Sequence, residues 1–187
     1  MKSSVSLFKK DVSIQAILYI LNQMGGKCDI HKCMKILYFS DNAHLSEYGR
    51  TITGDTYYHM AYGAVPTHIY DILKAVRGDS YFSNTEEVQK IKKECFHFVN
   101  NILIVSTAMP DMDYLSQSDI EILNMHIEQL RHKTFSEVTE MSHGYAWQTT
   151  ADNNPISIRA RLTEMGDTDD FITYIEKQLE TEEVFCG

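Results

Sequence analysis

The sequence lacks the marks of a secreted or membrane-spanning protein. It contains no run of about 18 or more apolar residues, and its N-terminal segment has no apolar region typical of a signal peptide. No two cysteines form a C-x-x-C pair, so we expect neither a disulfide framework nor a thiolate metal site. We interpret the four cysteines as free thiols, at Cys28, Cys33, Cys95 and Cys186. The chain is therefore predicted to be cytoplasmic, without a membrane partner.

Basic residues are also scarce, with 17 Lys and Arg against 26 Asp and Glu and a formal net charge of −9. This balance disfavours binding to a phosphate backbone and favours a basic protein partner. The nine glycines are dispersed, and neither a phosphate-cradling glycine loop nor a G-x-S-x-G or H-E-x-x-H motif occurs. We therefore expect no enzyme activity, no catalytic residues, no cofactor and no nucleic-acid partner.

Apolar residues at three- and four-residue spacing predict helices along most of the chain. Asp29, Ser116 and Thr134 are predicted helix N-caps, because each precedes such an apolar pattern. Alternating residues on both sides of Asn100-Asn101 predict a hairpin with a two-residue turn, which a strand at 55–60 could extend. The predicted fold is mainly α (α+β): one domain over 1–187, a helical bundle of about seven helices with a small antiparallel β-sheet inserted mid-chain.

A carboxylate interrupts the apolar stripe of the predicted helix that starts after Asp29. Asp41 lies in the middle of this stripe, and His44 follows three residues later within reach of the same face. Burying a carboxylate costs several kcal/mol unless it accepts hydrogen bonds, so Asp41 must have partners or line a cleft. The apolar positions of the stripe are Ile30, Met34, Leu37, Leu45 and Tyr48.

Glycines punctuate the chain after this helix. Gly49 and Gly54 bracket four residues and permit a helix stop followed by a tight turn. A short strand fits the following residues until Gly63 breaks it. Pro66 suits the first turn of the next helix, where its missing N–H is no loss.

Short motifs follow one another at a fixed spacing through this region. They are Lys35-Ile-Leu-Tyr-Phe-Ser-Asp41, His44-Leu45, Tyr48-Gly49-Arg50, Ile52-Thr53-Gly54-Asp55, Tyr57, Tyr62-Gly63, Val65-Pro66 and Ile69-Tyr70. This succession resembles the signature of the Panacea domain, a family that includes SocA-like antitoxins and phage-associated proteins. The resemblance spans about residues 10–150 and leaves 151–187 as an acidic C-terminal helical extension. Ala64 departs from the family, which usually has proline there.

The resemblance implies an antitoxin that neutralises a cognate toxin, encoded by the adjacent gene, through direct protein–protein binding. Two alternatives remain open: an adaptor that delivers the bound toxin to a protease, and a metal-dependent or phage-related enzyme. It also implies a set of structural signature residues. In the family, the neighbourhood of His143 and Trp147 packs against the core. The signature residues are Asp41, His44, Gly49, Gly54, Asp55, Gly63, Pro66, His143 and Trp147.

Two features of the signature region have more than one interpretation. Asp41 and His44 could join Asp55, His59 or His143 around a divalent metal, but a hydrogen-bonded network that holds the glycine turn is favoured. An aromatic cluster could form a surface that binds the toxin. Strand alternation and helical spacing favour the core for Tyr57 and Tyr70 and leave Tyr58 and Tyr62 open. The partner-binding candidates are Tyr57, Tyr58, His59, Tyr62 and Tyr70.

Overall fold

The computed structural model describes residues 7–185. Within them it contains α1 Lys10–Gln23, β1 Lys27–Asp29, α2 Ile30–Tyr48, β2 Tyr57–Tyr58, β3 Val65–Pro66, α3 Thr67–Arg77, α4 Glu86–Glu94, β4 Phe96–Phe98, β5 Leu103–Ser106, α5 Gln117–Leu130, α6 Phe135–Met141, α7 Tyr145–Gln148, α8 Ile158–Met165 and α9 Asp169–Phe185. The mainly helical prediction with a small antiparallel sheet is confirmed. The described part of the chain has nine α-helices rather than about seven, and α6 and α7 are only seven and four residues long.

Helix α2 is the central element of the fold. It packs against α1, α3, α5, α6 and α8 as well as strand β3. Its buried residues surround the helix axis, so an apolar stripe describes only part of its buried surface. The Asp29 side chain caps its start by accepting a hydrogen bond from the Lys32 N–H, and Gly49 ends it in the left-handed conformation with φ 70°. Both helix boundaries agree with the predictions from the sequence.

The C-terminal helices belong to the core. Leu162 of α8 and Ile172 and Ile175 of α9 are buried together with Leu45, which lies near the end of α2. A Cβ atom added at Gly49 would stand 3.1 Å from the Ile175 side chain, which shows how closely α9 approaches the end of α2. The segment predicted as an acidic extension therefore contributes its own apolar face to the packing.

The strand order of the larger sheet differs from the one considered in the sequence analysis. This antiparallel sheet has the order β1-β5-β4, with Cys28 opposite Ile104 and Phe98 also opposite Ile104 from the other side. Because β1 occupies the free edge of β5, no edge is left there for the segment at 55–60. That segment contributes only β2, which pairs with β3 in a separate two-stranded sheet.

The hairpin turn between β4 and β5 is longer than predicted. The Val99 N–H donates to the Leu103 carbonyl, so the turn has three residues between these positions rather than two. Neither asparagine adopts a positive φ. Instead, Asn100 Oδ1 accepts hydrogen bonds from the N–H groups of Ile102 and Leu103, at 2.9 and 2.8 Å. The side chain thus replaces the backbone contacts of a tight turn.

Helix α3 starts one residue later than predicted. Pro66 pairs with Tyr57 as the last residue of β3 and occupies the N-cap position, where its side chain can make no cap. The cap comes from outside the helix, because the Asp55 carboxylate accepts from the N–H groups of His68 and Ile69 at 3.1 and 2.8 Å. Proline at this position leaves the first turn dependent on a distant carboxylate.

Free thiols are found at three of the predicted positions. Cys28 and Cys33 are buried and Cys95 is half-buried, whereas Cys186 lies outside the described residues. Burial raises the pKa of Cys28 to about 12, which keeps this thiol protonated. Among residues 7–185, the structure contains no helix long and apolar enough to cross a membrane.

Gly63 provides a test of the packing around α2. Its φ is 91°, and an added Cβ atom would stand 1.9 Å from Ser142 Oγ, whereas at Gly78, with φ 106°, nothing lies within 4 Å. Gly78→Ala should therefore cost only the left-handed strain of about 1–2 kcal/mol. Gly63→Ala should add an overpacking cost of about 1–3 kcal/mol. Urea unfolding of both variants measures the difference, and equal losses would contradict the close approach to Ser142.

Candidate functional site

The carboxylate of Asp41 ties α2 to the segment that follows it. Asp41 is fully buried, and Oδ1 accepts from the N–H groups of Ile52 and Thr53 at 2.8 and 3.1 Å. Oδ2 accepts from the hydroxyl of Thr53 and, at 2.8 Å, from that of Tyr57. Both oxygens therefore have two donors each, and the carboxylate fixes the chain between the glycine turn and β2.

His44 holds the same turn through separate contacts. Its Nδ1 lies 2.9 Å from the Arg50 carbonyl oxygen, and its Nε2 lies 3.0 Å from both Ser118 Oγ and Asp119 Oδ1. Arg50 Nη2 donates to the same Asp119 oxygen at 2.9 Å. Burial opposes ionisation of Asp119, but hydrogen bonds from His44 and Ser116 together with the Arg50 charge hold its pKa well below the usual range. This network connects α2, the glycine turn and the start of α5.

His143 and Trp147 form an aromatic stack with His59. The Trp147 ring stacks on both imidazoles, with centroid distances of 4.1 Å to His59 and 3.8 Å to His143. Its Nε1–H donates to the Met60 carbonyl at 3.0 Å. Burial, Lys35 and His59 lower the pKa of His143, which favours its neutral form in the stack. The stack attaches α7 to the loop after β2.

The residues considered as metal ligands do not converge. His59 and His143 stand on opposite faces of Trp147, and the oxygens of the two carboxylates accept hydrogen bonds from the chain itself. No group of three His, Cys, Asp or Glu side chains in the described part of the chain is placed to hold a metal ion. The candidates in question are Asp41, His44, Asp55, His59 and His143.

The sequence analysis did not single out two buried basic side chains. Lys35 on α2 is fully buried and donates from Nζ to the Ala64 carbonyl at 2.6 Å, and burial lowers its pKa to about 7. Arg161 on α8 is 2% exposed and donates from Nε to Asn42 Oδ1 at 2.6 Å. Its guanidinium lies 4.9 Å from the centroid of the Tyr57 ring. The spacing of apolar residues could not predict the burial of either side chain, because other helices cover both of them only in the packed fold.

The predicted partner-binding residues differ widely in accessibility. Tyr57 is fully buried and His59 is 7% exposed, so neither is available to a partner, which corrects their place among the candidates. Both are buried because β2 lies between α2 and the loop before α8, where Tyr57 also bonds Asp41. Tyr58 and Tyr70 are half-buried. Tyr62 is 63% exposed and is the most accessible of the five.

Tyr62 belongs to an exposed aromatic patch, which we define as Tyr62 and Phe135. The rings of Tyr62 and Phe135 meet edge to face at 5.5 Å, and Phe135 is 53% exposed. The His31 ring packs on Phe135 at 4.2 Å, and its Nε2 lies 3.3 Å from the Tyr62 carbonyl oxygen. The sequence analysis did not single out Phe135, which follows the predicted helix cap Thr134. Its role in this patch depends on the docking of α6 beside the loop after β2.

Comparison with known proteins gives one match. The model of the family described as "Antitoxin SocA-like, Panacea domain" matches residues 33–148, more than half of the chain and inside the interval 10–150. No curated protein and no solved structure matches. The matched range includes Asp41, the glycine turn, the exposed aromatic patch and Trp147.

Removal of the Asp41 carboxylate should destabilise the fold. Asp41→Ala leaves two backbone N–H groups and two hydroxyls without their acceptor, so we expect the free energy of unfolding to fall by about 3 kcal/mol. Asp41→Asn should cost less, because its carbonyl oxygen can still accept from both N–H groups. The control is Asp71→Ala, whose exposed ion pair with Lys74 should contribute about 0.5 kcal/mol. Equal losses for Asp41→Ala and the control in urea unfolding would refute this role.

Lys35 should make stability depend on pH. Its pKa is about 7 in the folded chain against an ordinary 10.5, so between these values the unfolded chain binds a proton that the folded chain has released. The free energy of unfolding should therefore rise with pH, by up to about 1.4 kcal/mol per unit. Lys35→Met should remove this rise, whereas Lys93→Met on the exposed face of α4 should keep it.

The measurement is urea unfolding of the three proteins from pH 7 to pH 9. The series stops at pH 9 because cysteine thiols of the unfolded chain ionise there. The difference between wild type and Lys35→Met isolates Lys35 from the other titrating groups. Parallel stability curves for these two proteins would show that the amine keeps its proton inside the fold.

Proposed function

Because the chain belongs to the family of SocA-like antitoxins with a Panacea domain, we propose that it neutralises a cognate toxin by direct protein–protein binding. Family membership gives an antitoxin-type role and, in general, a protein partner. The specific proposal is that this partner is a toxin encoded by the adjacent gene. The observation that carries it is the family match over residues 33–148.

We further propose that the protein acts by binding and not by catalysis. The polar signature residues have structural tasks: Asp41 holds the glycine turn, His44 links it to α5, and Asp55 caps α3. Each side chain is largely or fully buried and already hydrogen-bonded within the chain. These residues therefore support a rigid scaffold, which suits a protein that presents a surface to a partner.

The exposed aromatic patch is the proposed toxin-binding surface. Tyr62 and Phe135 contact each other and are supported by His31, so their conformations are restricted before a partner arrives. Restrained aromatic side chains offer a large contact area at a small entropic cost and are frequent interface hot spots. The net charge of −9 should favour rapid encounter with a basic toxin, while the aromatic contacts should slow dissociation.

Truncation of the patch should weaken the complex. We expect Tyr62→Ala and Phe135→Ala each to raise the Kd for the toxin by about 30-fold, the scale of a 2 kcal/mol hot spot. Tyr174→Ala on α9 is the matched control, because Tyr174 is also 63% exposed but lies outside the patch. Binding kinetics should place the change in the dissociation rate. If only the Tyr174 variant lost binding, the interface would lie on the C-terminal helix.

A growth assay tests the function itself. Co-expression of the adjacent gene with wild-type protein should restore growth, and the two patch variants should restore it less well than Tyr174→Ala. The toxin should accumulate and co-purify with the antitoxin. Toxin that disappears in a protease-dependent manner would instead support the adaptor alternative, and failure of every wild-type co-expression would refute the proposed partner.

A further inference from the structure

A cavity of about 500 Å³ lies beside the segment that Asp41 and Asp55 hold in place. Its walls come from the loop after the glycine turn, from β2, from the start of α3 and from the start of α8. Side chains of Thr56, Tyr57, Ser157 and Arg161 border it. The volume lies within the range of small-molecule pockets in proteins.

Arg161 borders this cavity and has one hydrogen-bond donor without a partner. Its Nε donates to Asn42 and its guanidinium packs over Tyr57, but its buried Nη2 has no hydrogen-bond partner. A buried donor without a partner is destabilising, and a guanidinium favours two parallel bonds to one oxyanion. The other arginines of the described residues each have a carboxylate within ion-pair distance: Arg50, Arg77, Arg131 and Arg159.

Asp41 and Asp55, which act on Tyr57 together with Arg161, are engaged elsewhere. Both oxygens of Asp41 accept from the 52–57 segment, and those of Asp55 accept from His68 and Ile69 at the start of α3. The start of α8 also borders the cavity, and a helix N-terminus carries a partial positive charge. Two features that attract an anion thus meet at one wall of the cavity.

We propose that this cavity binds a carboxylate, which pairs with the guanidinium of Arg161 beside the start of α8. The apolar side chains of Ile156 and Leu179 also line the cavity and suit an aliphatic tail. One guanidinium with an unpartnered Nη2 matches one negative charge, and Asp55 in the same wall disfavours a doubly charged phosphate. The carboxylate could come from a free small acid or from the C-terminus of a polypeptide.

The first test compares hexanoate with its neutral isostere hexanamide by NMR on the full-length protein. Hexanoate should shift the Arg161 Nε–H signal and saturate with a Kd on the order of 1 mM, because the small number of non-hydrogen atoms in a ligand limits its affinity. Hexanamide should bind at least about tenfold more weakly, because it lacks the charge that Arg161 recognises. Absence of a hexanoate shift, or equal binding of the two compounds, would overturn the proposal.

A pair of variants at Thr56 tests the site without disturbing Arg161. The Thr56 side chain is exposed, and only its backbone groups bond to Asp55 and Thr67. Thr56→Glu adds a negative charge at the cavity wall and should weaken hexanoate binding about tenfold, whereas Thr56→Gln should change it less than about threefold. Equal effects of the two variants would argue against a charged ligand. Arg161→Gln should abolish the hexanoate shift if its melting curve shows a folded protein, and binding retained in that variant would overturn the proposal.

The source of the carboxylate is decided with two further probes. A peptide that ends in a free carboxylate and its C-terminally amidated form are titrated in the same way. With hexanoate bound as expected, a free-acid peptide that binds more tightly than hexanoate, and whose amidated form does not bind, assigns a polypeptide C-terminus. A free-acid peptide that binds no more tightly than hexanoate assigns a small acid. Inorganic phosphate that shifted the same signals more strongly than either acid would overturn the carboxylate assignment. These results do not depend on toxin neutralisation, so this proposal and the proposed function can fail separately.

Discussion

The pairing of polar side chains on a buried helix is the constraint on which this structure depends. Helix α2 is enclosed by other elements, and a buried polar group without a partner costs free energy. Five buried polar side chains on α2 bind neighbouring segments, so that the helix sets the positions of the loops around it. The pairs are Lys35 with the Ala64 carbonyl, Ser40 with His126, Asp41 with the 52–57 segment, Asn42 with Arg161, and His44 with Arg50 and Asp119.

The same pairing explains how one sequence signature serves two outer surfaces. Asp41 and Asp55 fix the chain from the glycine turn to the start of α3. One side of this segment carries Tyr62 with Phe135, and another side forms a wall of the cavity that Arg161 borders. The buried residues need not touch a partner, because they determine where the exposed side chains stand. A family signature of this kind therefore identifies the residues that maintain the fold more directly than the residues that contact a partner.

The loop around Gly63 shows how an unfavourable group is accommodated. Lys35 reaches the Ala64 carbonyl beneath this loop, and the absence of a Cβ atom at Gly63 leaves room for Ser142. Ala64 stands where the family usually has proline, but Lys35 uses only the backbone carbonyl, which both residues possess. The substitution therefore keeps the contact that holds the loop. Burial in this place lowers the pKa of Lys35, which is the basis for the predicted dependence of stability on pH.

The sequence by itself determined the features that depend on neighbours a few residues apart. Caps at Asp29, Ser116 and Thr134 act over three residues, so the start of α2, α5 and α6 could be predicted, as could the family and the mainly helical class. Tertiary structure decided the buried state of Lys35, the bond of Arg161 to Asn42, the addition of β1 at the edge of the sheet and the patch formed by Tyr62 with Phe135. The physical reason is that these contacts join segments far apart in the chain, and no local periodicity records which faces meet when the helices pack.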